Sequence, residues 1–95
     1  MTSYRVLYSK AAEKFIRQNK AVGIRFMKAF SEIASDMLLI SRYDIKRYHH
    51  KDYDDIFRLR IGKYRAIFRV IQNEIVISVI DIGSRGDIYK KGREG

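Results

Sequence analysis

Four arginines occur at strand spacing within the stretch FRLRIGKYRAIFRV: Arg58, Arg60, Arg65 and Arg69. Apolar residues alternate with them, and a Gly-Lys pair at positions 62 and 63 separates the first two arginines from the last two. Successive side chains of a β-strand point to opposite faces of a sheet, and residues opposite each other in a hairpin share a face. A two-residue turn at the Gly-Lys pair therefore predicts that all four guanidinium groups lie on one face.

The predicted hairpin register puts two like charges opposite each other, because Arg60 then pairs with Arg65. Such a pair destabilises a sheet, and its cost is explained if an anion binds at that position. Arginine suits this role, since its planar fork of donors matches the geometry of phosphate. The alternative is a solvated sheet face whose arginines maintain solubility. Glu74 is the only acid between Ile56 and Val79, which argues against internal ion pairs for these arginines.

A second candidate group follows the last predicted strand, in the stretch VIDIGSRGDIYKK. It contains Arg85 and, shortly after it, Tyr89. A tyrosine after a strand is ordinarily a packing residue, and a single arginine is ordinarily a surface residue. Beside the arginine hairpin the pair favours nucleic-acid chemistry instead, because an aromatic ring can stack on an unstacked base while arginines bind the phosphate.

The composition agrees with a polyanionic partner. The chain of 95 residues has 20 Lys and Arg against 11 Asp and Glu, a formal net charge of +9 and a pI near 10.0. This excess indicates RNA, DNA, an anionic membrane or an acidic protein, with solubility as the alternative. The absence of cysteine excludes disulfides and thiolate metal sites. No apolar run has the length of a membrane span and no signal peptide is recognisable, so we expect a cytoplasmic protein with no membrane partner.

The hydrophobic pattern predicts one α+β domain over residues 1–95, in the order β-α-α-β-β-β-β. Residues 10–19 and 21–39 have helical periodicity, with Ser9 as the N-cap of the first helix. Strands are predicted at residues 4–9, 45–48, 56–61, 64–71 and 74–82, with a tight turn at residues 72–73. We expect an antiparallel sheet packed on a two-helix hairpin. The residues expected in its core are Phe26, Phe30, Ile33, Leu59, Ile61 and Phe68.

Two segments resemble the RelE/ParE toxin superfamily of bacterial and archaeal toxin–antitoxin systems. LRIGKYRAIFRV is similar to the family pattern lRvGdyRviY.v, and IGSRGDIYK is similar to the family's C-terminal hRrdvY segment. The resemblance covers nearly the whole chain, and the predicted element order is also that of the family. It implies the RelE/ParE-like, microbial-RNase-like form of the α+β fold, with a single RelE-like toxin domain.

Within the superfamily, the chain resembles the RelE branch at the positions that bear function. Members of that branch cleave mRNA in the ribosomal A site without a metal or cofactor, and the ribose 2′-OH attacks the adjacent phosphate. By position, Arg58 and Arg60 match the basic pair before the glycine turn, and Arg65 matches the arginine that steadies the phosphate. Arg85 matches the arginine that protonates or stabilises the leaving 5′-oxygen, and Tyr89 matches the tyrosine that stacks on the target base.

The resemblance leaves the general base open. RelE-type enzymes often have lysines where Arg58 and Arg60 stand, and arginine is effectively always protonated, so it cannot accept a proton. Lys46, His49 and His50 are the candidates from the preceding segment, and histidine is the side chain best tuned for proton transfer near neutral pH. Adjacent histidines without a third ligand do not predict a zinc site.

The resemblance also implies the partners of the chain. These are mRNA in the A site, ribosomal RNA of the 30S subunit and an acidic, partly disordered antitoxin, which would form a heterotetramer or another toxin–antitoxin complex. The residues expected to bind RNA are Arg58, Arg60, Arg65, Arg69 and Tyr89. Two alternatives stay open. ParE members share the fold but poison DNA gyrase, and they generally lack the late Arg and Tyr. The other alternative is a basic module that binds RNA without cleaving it.

Overall fold

The computed structural model describes residues 3–84, which form a five-stranded sheet and two α-helices. A 3-10 helix at Met37–Arg42 connects the second α-helix to the sheet. In chain order the other elements are β1 at Arg5–Tyr8, α1 at Lys10–Gln18, α2 at Lys20–Ser35, β2 at Asp44–Arg47, β3 at Ile56–Ile61, β4 at Tyr64–Ile71 and β5 at Val76–Ser84. Within residues 3–84, no helix is both long enough and apolar enough to cross a membrane.

The strands lie in the order β1-β5-β4-β3-β2, so β1 and β2 form the two edges of the sheet. The predicted α+β class and the predicted order of elements are confirmed. The pairs from β2 to β5 are antiparallel as expected, whereas β1 pairs with β5 in the parallel direction. The alternation of apolar and polar residues within a strand does not predict this parallel pair, because Val6 and its partner Ile77 are separated by most of the chain.

Ser9 begins α1 as predicted. Its Oγ accepts a 3.1 Å hydrogen bond from the backbone N–H of Ala12, which satisfies one of the free donors at the start of the helix. The same hydroxyl donates to the backbone carbonyl of Ile80 in β5. The cap therefore also joins the start of the helix to the sheet.

The two helices form the expected hairpin. Asn19 is both the C-cap of α1 and the N-cap of α2. They approach closely at Gly23, which is buried. A Cβ atom at this position would lie 3.0 Å from the Cα of Ile16 in α1. The absence of a side chain at Gly23 is thus what allows this distance between the helices.

Helix α2 is shorter than predicted, because it ends at Ser35 and does not continue to residue 39. Asp36 has an extended backbone, and its side chain accepts a 3.0 Å hydrogen bond from the N–H of Leu38. This cap starts the 3-10 helix in place of a further turn of α2. Short acidic side chains commonly bind nearby backbone N–H groups and so compete with the helix. Met37 continues the apolar pattern of α2, so the pattern did not indicate that the helix ends before it.

The core lies between the helices and one face of the sheet. Of the residues expected there, the buried ones are Phe26, Phe30, Ile33, Leu59 and Phe68. The rings of Phe30 and Phe68 meet edge to face with centroids 5.1 Å apart, and they join α2 to β4. The prediction for Ile61 is wrong: it is only partly buried, because it ends β3 beside an exposed turn.

The β3–β4 hairpin has the predicted two-residue turn. Gly62 has a φ of +60°, which glycine adopts without steric cost, and its side-chain position is open space. The β4–β5 connection differs from the predicted tight turn, since it spans residues 72–75 and β5 begins at Val76. Ile75 has a φ of +57° in this connection.

Candidate nucleic-acid interface

The arginines of the β3–β4 hairpin share one face of the sheet, as the predicted register requires. The observed cross-strand pairs are Arg58–Ile67, Arg60–Arg65 and Arg69–Ile56. Phe68 points to the other side, where it is fully buried in the core. We term the side of the sheet that carries the four arginines the arginine face.

Strand β2 extends the arginine face by two charged side chains. Asp44 pairs with Arg60 and Lys46 pairs with Arg58, and residues directly opposite each other share a face. The Oδ2 atom of Asp44 lies 2.7 Å from the Nε atom of Arg60. Lys46 is exposed beside Arg58. The centre of the face therefore carries an acid and two arginines in one row, in the order Asp44, Arg60 and Arg65.

Arg69 makes a two-point contact with the loop that precedes β3. Its Nε and Nη2 atoms each lie 2.9 Å from a carboxylate oxygen of Asp55, and its guanidinium carbon lies 4.3 Å from the ring centroid of Tyr53. The hydrogen bonds from Arg69 lower the pKa of Asp55, and the bonds to that carboxylate raise the pKa of Arg69. Bidentate charged pairs and cation–π contacts both fix geometry. We term these three residues the loop clamp.

The expectation that the arginines lack internal acidic partners is wrong for two of them. Arg60 and Arg69 each pair with an aspartate. One aspartate comes from β2 and the other from the loop before β3. Both lie outside the stretch from Ile56 to Val79 in which acids were counted, so that count could not predict the two ion pairs. Arg69 thus has a structural role, and its expected contact with RNA stays a prediction.

Arg58 lies near the middle of the arginine face and is half-buried. Its Nε atom is buried and makes no hydrogen bond within residues 3–84. A buried donor without a partner raises the energy of the fold, and an acceptor that reached it would lower that energy. Under the charges, Tyr48, Ile56 and Ile67 form a small apolar cluster. Long cationic side chains commonly lay their aliphatic stems along apolar surface of this kind.

Arg65 is half-buried and in register with Gly83 of β5. Because glycine has no side chain, β5 contributes none next to Arg65 at this position. The described part of the chain ends one residue later, at Ser84. Arg85 and Tyr89 lie outside the described residues, so their expected places at the site stay predictions.

The two histidines lie in the loop of residues 48–55, which joins β2 to β3, and both are exposed. The backbone N–H of Asp52 donates a 3.1 Å hydrogen bond to Nδ1 of His50. In the neutral ring of His50 the single proton is then on Nε2, which makes that atom a donor. Over residues 3–84, no three His, Cys, Asp or Glu side chains come together as a metal site requires.

Three residues of this region were not singled out from the sequence: Asp44, Tyr53 and Asp55. The position of Asp44 on the arginine face was predictable, because it lies two residues before Lys46 and such residues share a face in a strand. The positions of Asp55 and Tyr53 were not, since a contact from a loop to Arg69 depends on the path of that loop.

Comparison with known proteins identifies the family. The model of the "ParE toxin of type II toxin-antitoxin system, parDE" matches residues 6–89. This match covers most of the chain, so the protein belongs to the ParE toxin family, within the RelE/ParE superfamily. It is a toxin of a toxin–antitoxin system.

Individual relatives carry RelE names. A protein of Methanocaldococcus jannaschii named "Putative toxin RelE1" is 29% identical over 66 residues, which are 70% of this chain and 71% of that protein. The archaeal RelE–RelB complex of Pyrococcus horikoshii OT3 contains a chain with a TM-score of 0.72 and 25% identity, and the match covers 90% of this chain and 98% of that one. The isolated E. coli RelE toxin shares the fold with a TM-score of 0.68 and 18% identity, over 97% of each chain.

Proposed function

We propose that this toxin is an endoribonuclease that cleaves mRNA in the ribosomal A site and thereby inhibits translation. The observation that carries the proposal is the pairing of Arg60 with Arg65 on a face that also presents Arg58 and Lys46. Asp44 reduces this charge through Arg60, and Asp81 of β5 lies on the same face in register with Ile67. Like charges opposite each other destabilise a sheet, and a phosphodiester is an anion that relieves the repulsion and fits the arginine fork.

The proposed reaction uses protein side chains alone. A base takes the proton of a ribose 2′-OH, and the 2′-oxygen forms a bond to the adjacent phosphorus. The bond from phosphorus to the 5′-oxygen then breaks, and that oxygen takes up a proton. Negative charge develops on the phosphate oxygens during attack, and Arg58, Arg60 and Arg65 are suited to bind it. Donors that are already in place lower the barrier most, because they need no reorganisation.

Lys46 is the base that the geometry favours. It lies on the arginine face in register with Arg58, and lysine, unlike arginine, can release and accept a proton. His50 is less suited, because its Nδ1 accepts a hydrogen bond from Asp52 and Nε2 of the neutral ring already holds the proton. His49, exposed on the same loop, is the alternative.

Arg85 and Tyr89 complete the proposed site. Their roles rest on the resemblance of IGSRGDIYK to the C-terminal segment of the family. Arg85 would donate a proton to the leaving 5′-oxygen or stabilise its charge. Tyr89 would stack on the base of the target nucleotide, which orients the phosphate for in-line attack.

The proposal includes macromolecular partners. The 30S ribosomal RNA would bind the remaining positive surface of a chain with net charge +9. An acidic antitoxin would neutralise that surface, in a heterotetramer or another complex. The similar archaeal chain was solved as a RelE–RelB complex, and this supports an antitoxin partner here.

Expression of the toxin with and without its antitoxin, followed by mapping of mRNA 5′ ends, tests the proposal. We expect new 5′ ends within codons of translated mRNA, and none on untranslated RNA. Arg85→Ala should abolish growth arrest while ribosome binding persists, since one preorganised donor contributes roughly 100- to 1000-fold in rate. Tyr89→Phe should be milder than Tyr89→Ala, because it keeps the stacking ring. Lys28→Ala, on the helical side, is the control and should stay toxic.

The ParE name of the matching family favours a second candidate function, the poisoning of DNA gyrase. The same experiment separates the two. Growth arrest with intact mRNA that disappears in a strain with resistant gyrase would replace the ribonuclease proposal. Full cleavage by the double variant Arg65→Ala, Arg85→Ala would also contradict the proposed chemistry.

A further inference from the structure

The loop of residues 48–55 encloses an open concavity of about 410 Å³. Four rings and two cationic side chains contribute to its lining: Tyr48, His49, His50, Tyr53, Arg47 and Lys51. Asp54 is the one acid of the lining, and its backbone carbonyl accepts a hydrogen bond from the guanidinium of Arg47. The concavity is open to solvent, so it suits a flat ring that lies on its surface better than an enclosed small molecule. Apart from His49, the alternative general base, the lining residues have no part in the reaction proposed above. We term it the ring pocket.

Three of the four rings, those of Tyr48, His50 and Tyr53, make contacts within the fold without a ligand. His50 and Tyr53 form a β-bridge, and their ring centroids lie 5.4 Å apart. In the loop clamp, the guanidinium of Arg69 packs against the ring of Tyr53 and also binds Asp55. A site that is ordered in advance loses less entropy when a ligand binds.

The pocket adjoins the arginine face. Tyr48 continues β2, since its N–H donates to the carbonyl of Ile56, and its side chain packs in the apolar cluster of that face. Ile56 lies four residues before Arg60 in β3. In a strand this separates the two Cα atoms by about 13 Å. A single-stranded nucleic acid bound at Arg60 and Arg65 would therefore reach the pocket with a nearby nucleotide.

From these observations we infer that the ring pocket binds an unstacked nucleobase of the RNA strand whose phosphate lies on the arginine face. Bases stack on tyrosine and histidine rings irrespective of their identity. The Nε2–H of His50 is a donor for an acceptor on the base edge, and Lys51 is a cation for the adjoining phosphate. The inference rests on the proposed function for the strand itself. It adds a second point of base recognition, away from the one assigned to Tyr89.

Binding of short oligonucleotides to the purified full chain tests this inference without cleavage. The probes are a trinucleotide of 2′-deoxyadenosine, which has no 2′-OH, and an abasic trinucleotide of the same charge. We expect the first to shift the ring-proton NMR signals of His49 and His50 saturably, and the second to bind weakly. Tyr53→Ala should weaken the first probe by roughly 5- to 150-fold, the effect of one stacked base. Tyr53→Phe should restore the affinity.

Two further variants secure the result if Tyr53→Ala disturbs the loop clamp. His50→Ala should weaken the same probe, and Ile24→Ala, exposed on α2, should not. Equal binding of the two probes would overturn the inference, because charge alone would then account for the affinity. Unchanged affinity of both Tyr53→Ala and His50→Ala would overturn it too. Neither result bears on mRNA cleavage, so intact mRNA would refute the proposed function separately.

Discussion

Arg60 stands between an acid and a second arginine, and in the proposed function its charge would also serve a phosphate. Asp44 lies 2.7 Å from its Nε atom, and both side chains are partly exposed, at 51% for the arginine and 33% for the aspartate. An exposed pair of this kind contributes about 1 kcal/mol or less to stability. A phosphate at this position would therefore displace Asp44 at little cost to the fold.

Asp44→Asn should consequently strengthen the binding of RNA or ribosomes. Removal of the competing carboxylate leaves Arg60 free for phosphate, and we expect a gain of roughly two- to fivefold at low salt, from a pair worth about 0.5–1 kcal/mol. Glu74→Gln is the matched control, because it changes the net charge equally but lies in the exposed β4–β5 connection. An equal gain in both variants would mean that only net charge matters.

The loop clamp makes stability depend on pH in the acid range. Arg69 lowers the pKa of Asp55 in the folded state. The pair therefore stabilises the fold above the unfolded pKa, near 4, and this stability is lost as the pH falls through the lowered folded pKa. Urea unfolding of Asp55→Asn should show a loss of about 1 kcal/mol at pH 7 that vanishes near pH 2. Asp52→Asn, on the same loop, should lack this pH dependence.

At the residue scale, the sequence predicted where the arginines lie but not what they contact. The side on which Arg58, Arg60 and Arg65 lie follows from alternation alone. The partners do not, because the acid that binds Arg69 comes from a loop and the acid that binds Arg60 comes from another strand. Arg69 shows the consequence: the same spacing that suggested a phosphate ligand also suits a structural clamp.

The β3–β4 hairpin is the element on which the proposed site depends, and it was predictable because its pairing is local. Gly62 has the positive φ that a two-residue turn requires, and that turn sets the register of every arginine. Elements with distant determinants were not predictable in this way. The parallel partner of β1 is one example, and the end of α2 at the cap of Asp36 is another.

Gly23 sets the distance between the two helices, so Gly23→Ala should destabilise the protein although alanine favours helix. The helical preference of alanine contributes about 1 kcal/mol. The new methyl group would lie 3.0 Å from backbone and side-chain atoms of Ile16, and overpacking costs about 1–3 kcal/mol. We expect a net loss of about 1 kcal/mol in denaturant unfolding. A gain in stability would instead show that α1 can shift away from α2 at little energetic cost. Lys28→Ala should stay within about 0.5 kcal/mol of the parent.

Across the whole molecule, the excess of positive charge is distributed over both layers. Lys14 and Lys28 are exposed on the helices, and Lys46 and Arg60 are exposed on the sheet. A net charge of +9 attracts any polyanion over a distance of about 10 Å at moderate salt. A test of specific binding therefore has to compare variants that remove the same charge from different parts of the surface.

The dependence of affinity on salt makes this distinction. The double variant Arg60→Ala, Arg65→Ala should reduce the slope of log affinity against log salt by about 1.4 if each arginine neutralises one phosphate of a single strand. The double variant Lys14→Ala, Lys28→Ala removes the same charge from the helices and should leave the slope nearly unchanged. Equal slopes in the two double variants would exclude the arginine face as the binding surface.

The parallel pair of β1 with β5 has a consequence for the order in which the protein can form during its synthesis. β1 leaves the ribosome first among the strands, yet its hydrogen-bonded neighbour in the sheet is β5. The N–H of Ser9 likewise donates to the carbonyl of Val79. Contacts between such distant segments close late, because a long loop must be ordered first. The finished sheet, with β5 beside Arg65, therefore exists only after nearly all of the described chain has been translated, and the arginine face is complete only then.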